Sequence, residues 1–327
     1  MIELLPSMAI AFGITYIATP RLAKKLIQRG ITGVDIHKPS RAVCAEMGGI
    51  AVIFGFVIAT ASASLLGISF TIPIWGAVIT VLLVAAIGAL DDQLAIRQRH
   101  KVLLTILASL PLILTFNGAP SVWFPFLGSL DLGLLYPLLW IPLLITTLSN
   151  LTNMHAGFNG LEAGIASISI ACLGIASLII GAYPVSVIAL VMCSAYASFL
   201  VYNWFPAKIF PGDVGTLMSG AAVAAIGILA KLEFVAILVS IPAAFDFTLK
   251  MLSRRPFAQR VIYGDSTITD QGFLKPAPYP SLSHAFMKVA NLRENQLVKG
   301  LLFMEFLYAI IALSLVVLTK EGFLHGQ

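Results

Sequence analysis

The sequence predicts an all-α, polytopic integral membrane protein with about ten transmembrane helices, and three observations carry that prediction. Apolar residues make up 59% of the 327-residue chain and charged residues only 11%, and the mean hydropathy is +0.96, far outside the range of a soluble domain. Residues 47–90 form a run of 44 without a charged side chain, about twice the roughly 20 residues that one span needs. Lys and Arg, finally, collect in alternate connections between apolar runs, the pattern of the positive-inside rule. Backbone in hydrocarbon has to satisfy its own hydrogen bonds, so these runs are helices.

The first span, near 3–20, is followed by Arg21, Lys24, Lys25 and Arg29, while residues 1–16 hold no basic residue. That order suits an uncleaved span that starts outside, not a signal peptide. The long uncharged run divides near Gly67 into spans at 47–66 and 69–90. Asp91 and Asp92 then open a connection containing Arg97, Arg99 and Lys101, and a span at 102–117 follows. The connection 117–131 has one acid and no base; beyond it lie spans at 132–152 and 161–182, with the polar stretch NLTNMHAGFNGLEAG (150–164) between them. Gly181 marks a short connection to 184–203, and WFPAKIFPGDVG (204–215) leads into 214–231. Spans at 232–252 and 299–319 complete the series, with a cytoplasmic loop, 253–298, between the last two. Inside segments 21–46, 91–101, 204–213 and 250–299 hold six, three, one and eight basic residues, 18 of the 20. Only Lys231 and Lys320 fall outside, which places both termini on the non-cytoplasmic face. The net charge of +5 therefore reports topology, and no nucleic-acid partner is expected. One membrane-embedded domain covers 1–327. Cys44, Cys172 and Cys193 form neither a disulfide framework nor a zinc spacing.

The polar motifs gather on one predicted face. GALDDQLAIRQRHK (88–101), NLTNMHAGFNGLEAG, WFPAKIFPGDVG, SRAVCAEMGG (40–49) and SRRPFAQR (253–260) all fall inside, and the outer connections are nearly blank. Asn150 and Asn153 stand three apart, so on a helix their amides share a face. With Asp213 they suit a hard cation such as magnesium, which takes oxygen ligands together with substrate phosphates; hydrogen-bond glue between spans is the structural alternative. Asp91 and Asp92 point about 100° apart on a helix, so one can face a site while the other meets a base of the next loop, or both simply close a helix. Glycine turns in GFNG and PGD offer bare N–H groups to a phosphate or a flat base. Arg254 and Arg255 offer forks for phosphate, or anchor the preceding span. His155 and His284 have no visible nucleophile partner, Asp246 and Lys250 read as a structural pair, and Glu305 lies unexplained inside the last apolar run. Together these parts describe a magnesium-diphosphate site.

In order and spacing, GALDDQLAIRQRHKVLLTILASLPLIL, LDLGLLY, NLTNMHAGFNGLEAG and IFPGDVGTLMSGAAVAAIGILAK resemble the polyprenyl-phosphate N-acetylhexosamine-1-phosphate transferases. The form AGFNGLEAG, where bacterial relatives carry DGxDGL, is similar to the eukaryotic and archaeal branch that uses UDP-GlcNAc and dolichyl phosphate. The resemblance implies an Mg2+-dependent phosphoglycosyltransferase, Mn2+ able to substitute, in an archaeal cell membrane or an endoplasmic reticulum membrane. It implies metal ligation by Asn153 and Asp213, a site shaped by Asn150 and Asp92, Asp91 beside the acceptor phosphate and Lys101 on phosphate. It further implies Phe210 stacked on uracil, Gly157 and Asn159 reading the base edge, Glu46 near the nucleotide sugar, and Arg254 and Arg255 on the diphosphate. Two departures stand out: RRP replaces a His-containing basic motif, and Ala95 replaces an asparagine. Another UDP-N-acetylhexosamine or undecaprenyl phosphate fits the same chemistry, and a homodimer is allowed without being specified.

A transporter is the rival from another class, because broken glycine-rich spans and intramembrane acids occur there too. Transporters need both faces reachable, and here one face is blank. The topology is checked with single cysteines in a background lacking the native ones: Ser121→Cys and Lys320→Cys react with an impermeant thiol reagent on sealed cells, and Thr267→Cys does not. Labelling at Thr267, or protection of both outer probes, reverses the orientation.

Overall fold

The computed structural model describes residues 3–38, 42–253 and 266–320, and in it each of the ten apolar segments is helical. The helices are α1 (Leu4–Gln28), α2 (Gly49–Leu65), α3 (Ile72–Leu94), α4 (Gln98–Ala108), α5 (Leu110–Thr115), α6 (Ile141–Met154), α7 (Leu161–Ile179), α8 (Tyr183–Asn203), α9 (Gly212–Ala230), α10 (Glu233–Val239), α11 (Ile241–Ser253), α12 (Leu282–Val289) and α13 (Glu294–Lys320). Five of them, α3, α7, α8, α9 and α13, are individually long and apolar enough to cross a membrane, and the pair α10 and α11, bent by 54°, makes a sixth if counted together. The others are shorter, broken or more polar: α4 and α5 part at Ser109, and a π-helical turn at Tyr136–Trp140 precedes α6. Proline near the first position starts α3, α6 and α8, where its missing N–H has no partner to lose.

α9 is the centre of the molecule. Sixteen of its residues are buried, and Gly215, Gly220, Gly227 and several alanines let neighbouring backbones come close, as helix packing in lipid requires. A Cβ on Gly220 would sit 2.2 Å from the Leu148 carbonyl oxygen of α6, and one on Gly49 would sit 2.5 Å from Gly215 Cα. On α3, a Cβ at Gly88 would fall 2.4 Å from the carbonyl oxygen of Asp213. The end of α3 is thereby pressed against the start of α9. By contrast only 28% of the apolar window of α13 is buried, and it exposes Phe303, Phe306 and Ile311.

Three short antiparallel hairpins supplement the helices. β1 (Thr32–Val34) pairs with β2 (Val43–Ala45), β3 (Ser121–Phe124) with β4 (Gly128–Asp131), and β5 (Thr267–Ile268) with β6 (Leu274–Lys275). The connection 117–131, blank in sequence, is therefore structured: the Lys231 ammonium donates to the Ala119 carbonyl at 2.9 Å and lies 4.1 Å over the Tyr136 ring, whose hydroxyl donates to buried Glu233. The β1–β2 hairpin is tied to the start of α9, since Phe210 N–H donates to Ala45 O and Gly48 N–H to Phe210 O, both at 2.8 Å. Around α12 a second apolar cluster, with Leu282, Met287 and Leu297, packs against Phe158 and Leu161. Glu305 accepts a 2.5 Å hydrogen bond from Ser169, joining α13 to α7.

The Gly88 contact is testable. Gly88→Ala forces α3 away from α9, and overpacking of this kind costs about 1–3 kcal/mol, whereas Gly13→Ala in α1 meets open space and improves helix propensity. Thermal unfolding in detergent lowers for Gly88→Ala and not for Gly13→Ala; equal behaviour removes the close α3–α9 approach.

Candidate active site

The end of α3 supplies two acids with different tasks. Asp92 accepts hydrogen bonds from the N–H groups of Asp213 (2.7 Å) and Val214 (3.2 Å), the first turn of α9. A carboxylate there satisfies orphan donors and faces the positive end of the helix dipole. Gly212 is required beside it: φ is +67°, and a Cβ would meet Asp92 Oδ2 at 2.5 Å. Asp91 turns the other way, its Oδ1 accepting from Ile96 N–H at 2.6 Å and its Oδ2 pairing with the Lys101 ammonium. Left-handed Ala95, with φ 47°, makes the reversal that brings Lys101 back over Asp91.

Lys101 also pairs with Asp213 Oδ2 at 2.6 Å, so one ammonium bridges carboxylates from α3 and α9. Asp91 and Lys101 side chains are 7% and 9% exposed, Asp213 is 29% exposed. Exposure decides the roles: Asp213 is the carboxylate open to a ligand. Asp91, expected beside the acceptor phosphate, has both oxygens engaged by Ile96 and Lys101 and holds the lysine. Asn150 likewise differs from expectation, because its Oδ1 accepts from Gln98 at 2.9 Å and its Nδ2 donates to the Thr146 carbonyl at 2.9 Å. Asn153 lies beside the Asp213 carboxylate, within reach of its oxygens.

Beside Asp213 lies a pocket of about 390 Å³ that gathers Glu46, Gly157, Asn159 and Phe210, with Asp35, His37 and Glu294. The Phe210 ring passes so near β1 that a Cβ on Gly33 would lie 3.1 Å from it. Burial, and next the Asp213 carboxylate, push the Glu46 carboxyl above its ordinary range. The expected bare N–H groups of the glycine loop are not free: Gly157 donates to Glu162 at 2.6 Å and Asn159 to Glu294 at 2.7 Å. What glycine supplies at 157 is conformation, φ +131°. His37 stacks on Phe158 with centroids 4.7 Å apart, and its Nε2 is buried without a partner among the described residues.

Two further cavities converge on Asn150. A groove of about 460 Å³ is lined mainly by apolar side chains of α4, the π-helical turn, α6 and α11, including Ile106, Leu139, Leu143 and Phe247. A polar cavity of about 660 Å³ adds Asn153, Lys250, Ser281 and His284. Its floor is fixed by buried Asp246, which pairs with Lys250 at 2.7 Å and His155 Nδ1 at 3.1 Å and accepts from Leu282 N–H at 2.7 Å. The Asp246–Lys250 pair is structural, as its spacing suggested, and it also anchors α12 and the end of α6. Arg254 and Arg255 lie outside the described residues. An aromatic pocket with an open carboxylate is thus joined to an apolar groove through the polar cavity, an arrangement able to bring a soluble, flat-ringed anionic ligand to a group carried on a lipid.

Comparison with known proteins agrees. Glycosyl transferase family 4 matches residues 74–231. A Saccharolobus solfataricus protein provisionally named UDP-N-acetylglucosamine–dolichyl-phosphate N-acetylglucosaminephosphotransferase is 33% identical over 317 residues, 96% of this chain and 97% of the relative. The chain belongs to this family. A Schizosaccharomyces pombe member with the same name, given without reservation, is 27% identical, covering 74% of this chain and 65% of its own. The Aquifex aeolicus phospho-N-acetylmuramoyl-pentapeptide-transferase is 29% identical, covering 94% and 90%. The family match contains Asp91, Asp92, Lys101, Asn150, Asn153, Asn159, Phe210 and Asp213, and leaves out Asp35, His37, Glu46 and Glu294.

Asp35, His37 and Glu294 were missed in the sequence. A signal was present for the first: between Glu3 and Glu46, Asp35 is the one acid in an otherwise basic segment. Glu294 had none, because only folding brings the start of α13 to the pocket.

His37 gives a pH test. Burial, opposed by Asp35 and reinforced by His284, lowers its pKa from 6.5 to about 4. The unfolded chain therefore takes up a proton between about pH 6.5 and 4 that the folded chain refuses, and stability falls as pH falls through that window. His37→Phe keeps the stack on Phe158 and flattens this part of the unfolding-temperature profile; an unchanged slope contradicts the buried neutral histidine.

Proposed function

We propose that this chain transfers GlcNAc-1-phosphate from UDP-GlcNAc to a polyprenyl phosphate of the dolichyl type, giving lipid-diphosphate-GlcNAc and UMP. The observation that carries the reading is the position of Asp213, the open member of the Lys101-bridged pair, on the wall of the aromatic pocket, which a polar cavity links to the apolar groove. The pocket suits a nucleotide, with the Phe210 ring as a stacking surface, and the groove suits an isoprenoid chain. The names of the relatives supply the donor and the lipid. The reading extends to ten membrane crossings, outer termini, a site on the cytoplasmic face, and a single catalytic unit over 1–327.

A divalent ion, Mg2+ or Mn2+, fits the donor set. Asp213 is the exposed carboxylate of the pair and Asn153 is an amide beside it, and the oxygens of such groups are the ligands a hard cation takes. When bound, the ion neutralises charge on the diphosphate. In the reaction an oxygen of the lipid phosphate attacks the β-phosphorus; the bond from that phosphorus to the bridging oxygen breaks, and UMP leaves with the oxygen. A phosphomonoester has its second pKa near ~6, so the acceptor is already mostly dianionic and needs no general base. Direct attack follows, without an aspartyl-phosphate. Lys101 holds Asp213 in place, Asp92 fixes the backbone that carries it, and Asp91 restrains the lysine. Against transport, the polar cavities are lined by residues of the motifs expected inside.

Release of UMP from UDP-GlcNAc by purified protein with polyprenyl phosphate tests the reading. Asp213→Asn keeps size and removes charge, and lowers turnover about a hundredfold or more, ~2.7 kcal/mol of barrier. Asn153→Ala has a smaller effect. Activity is lost with EDTA and returns with magnesium or manganese. Near-normal UMP release by Asp213→Asn at saturating acceptor rejects its role, and preference for another UDP-sugar rejects the donor.

A further inference from the structure

The loop residue Asn159 is 3% exposed and held by two acids from distant parts of the chain. Its Nδ2 donates to Asp35 Oδ2 at 2.8 Å and to Glu294 Oε2 at 3.3 Å, while its backbone N–H donates to Glu294 Oε1 at 2.7 Å. We infer that Asp35 and Glu294 are positioning residues that lock the Asn159 amide with its oxygen toward the pocket, making the site select uracil against cytosine. The inference rests on the proposed uridine-nucleotide donor, with Asn159 at the base edge, and adds to it the two acids that orient that amide.

An amide has a donor end and an acceptor end of nearly equal size, so its direction is set by its neighbours. Asp35 Oδ2 and both oxygens of Glu294 act as acceptors toward Asn159. Asp35 is also paired with the Lys38 ammonium. Rotating the Asn159 amide by half a turn would put its oxygen against two carboxylate oxygens in a buried place, and unsatisfied or repelled buried polar atoms are costly. The amide therefore has one orientation.

The other end faces the ligand. Asn159 lines the pocket together with Phe210, and its Oδ1 takes no hydrogen bond among the described residues. The loop is fixed as well, because Gly157 N–H is held by Glu162 at 2.6 Å. A rigid acceptor beside an aromatic face pairs with a ring N–H. Uracil carries one at N3, and cytosine has a lone pair at the same position. Directed hydrogen bonds of this kind discriminate far more strongly than apolar fit.

Asp35, His37 and Glu294 also have ligand atoms within 4.8 Å of one another, as a metal site would. The Asn159 NH2 and the Lys38 ammonium, however, already point at these carboxylates. Donor hydrogens directed at the same oxygens oppose a cation, and the acids serve the amide.

The test is equilibrium binding of UMP and CMP to the full-length protein in detergent. Wild type prefers UMP by about tenfold or more. In Glu294→Gln the single oxygen is claimed by Asn159 N–H, so the new NH2 faces the Asn159 amide and favours its reversal. UMP weakens, CMP tightens, and the preference falls several-fold. Asp35→Asn, a second isosteric change, shifts the ratio the same way, and thermal unfolding of each variant reports folding separately. Asn159→Ala abolishes the preference. If both acid variants keep the wild-type ratio while Asn159→Ala loses it, the lock is overturned. If Asn159→Ala also keeps it, the base is not read here and the inference falls. Failure of the wild-type protein to release UMP from UDP-GlcNAc with polyprenyl phosphate rejects the transferase reading separately.

Discussion

The site depends on how closely the end of α3 approaches the start of α9. Without a side chain at Gly88, the Asp213 carbonyl can lie where a Cβ would otherwise stand, and only then can Asp92 reach the first N–H groups of α9. That cap fixes the backbone of Asp213, and Ala95 folds the chain back so that Lys101 lands between Asp91 and Asp213. In lipid no water is available to take up slack in such contacts. Small residues along α9 thus act on chemistry at its end: packing decides the position of a carboxylate.

Most of the acids around the pocket act as hydrogen-bond acceptors for backbone or amide donors. Asp91 takes Ile96 N–H, Asp92 takes α9, Glu162 takes Gly157, and Glu294 takes Asn159. A nucleotide diphosphate would be repelled by so many free carboxylates, and here their charge is absorbed by donors or by Lys38 and Lys101. Asp213 remains exposed enough to act on a ligand. Pre-organisation of this kind lowers the cost of rearrangement when charge develops.

The helical character of the apolar segments was legible in the sequence because hydropathy is a property of local segments, although five of the helices are individually long and apolar enough to cross a membrane, or six with the bent pair α10 and α11. The cluster of Asp91, Asp92, Lys101, Asn153 and Asp213 was legible through its motifs, although not the partition of labour within it. Spacing shows that Asp91 and Asp92 diverge, and cannot show that one caps a helix 120 residues away while the other restrains a lysine. Asn150 carried the right residue type for a ligand, yet Gln98 takes its oxygen. The Asp35–Asn159–Glu294 group was illegible, since its members come from the β1 hairpin, the loop before α7 and the start of α13. Long-range hydrogen bonds leave no period in the sequence.

The central claim is that Asp213, held by Lys101 and seated by Asp92, is the carboxylate that receives a cation with the donor diphosphate. Manganese spin resonance on the purified protein in the presence of UDP-GlcNAc measures this directly. The account predicts one nucleotide-dependent ion per chain, bound far more weakly in Asp213→Asn although UDP-GlcNAc itself still enters the pocket. Wild-type manganese affinity in Asp213→Asn, or no nucleotide-dependent ion at all, would contradict it.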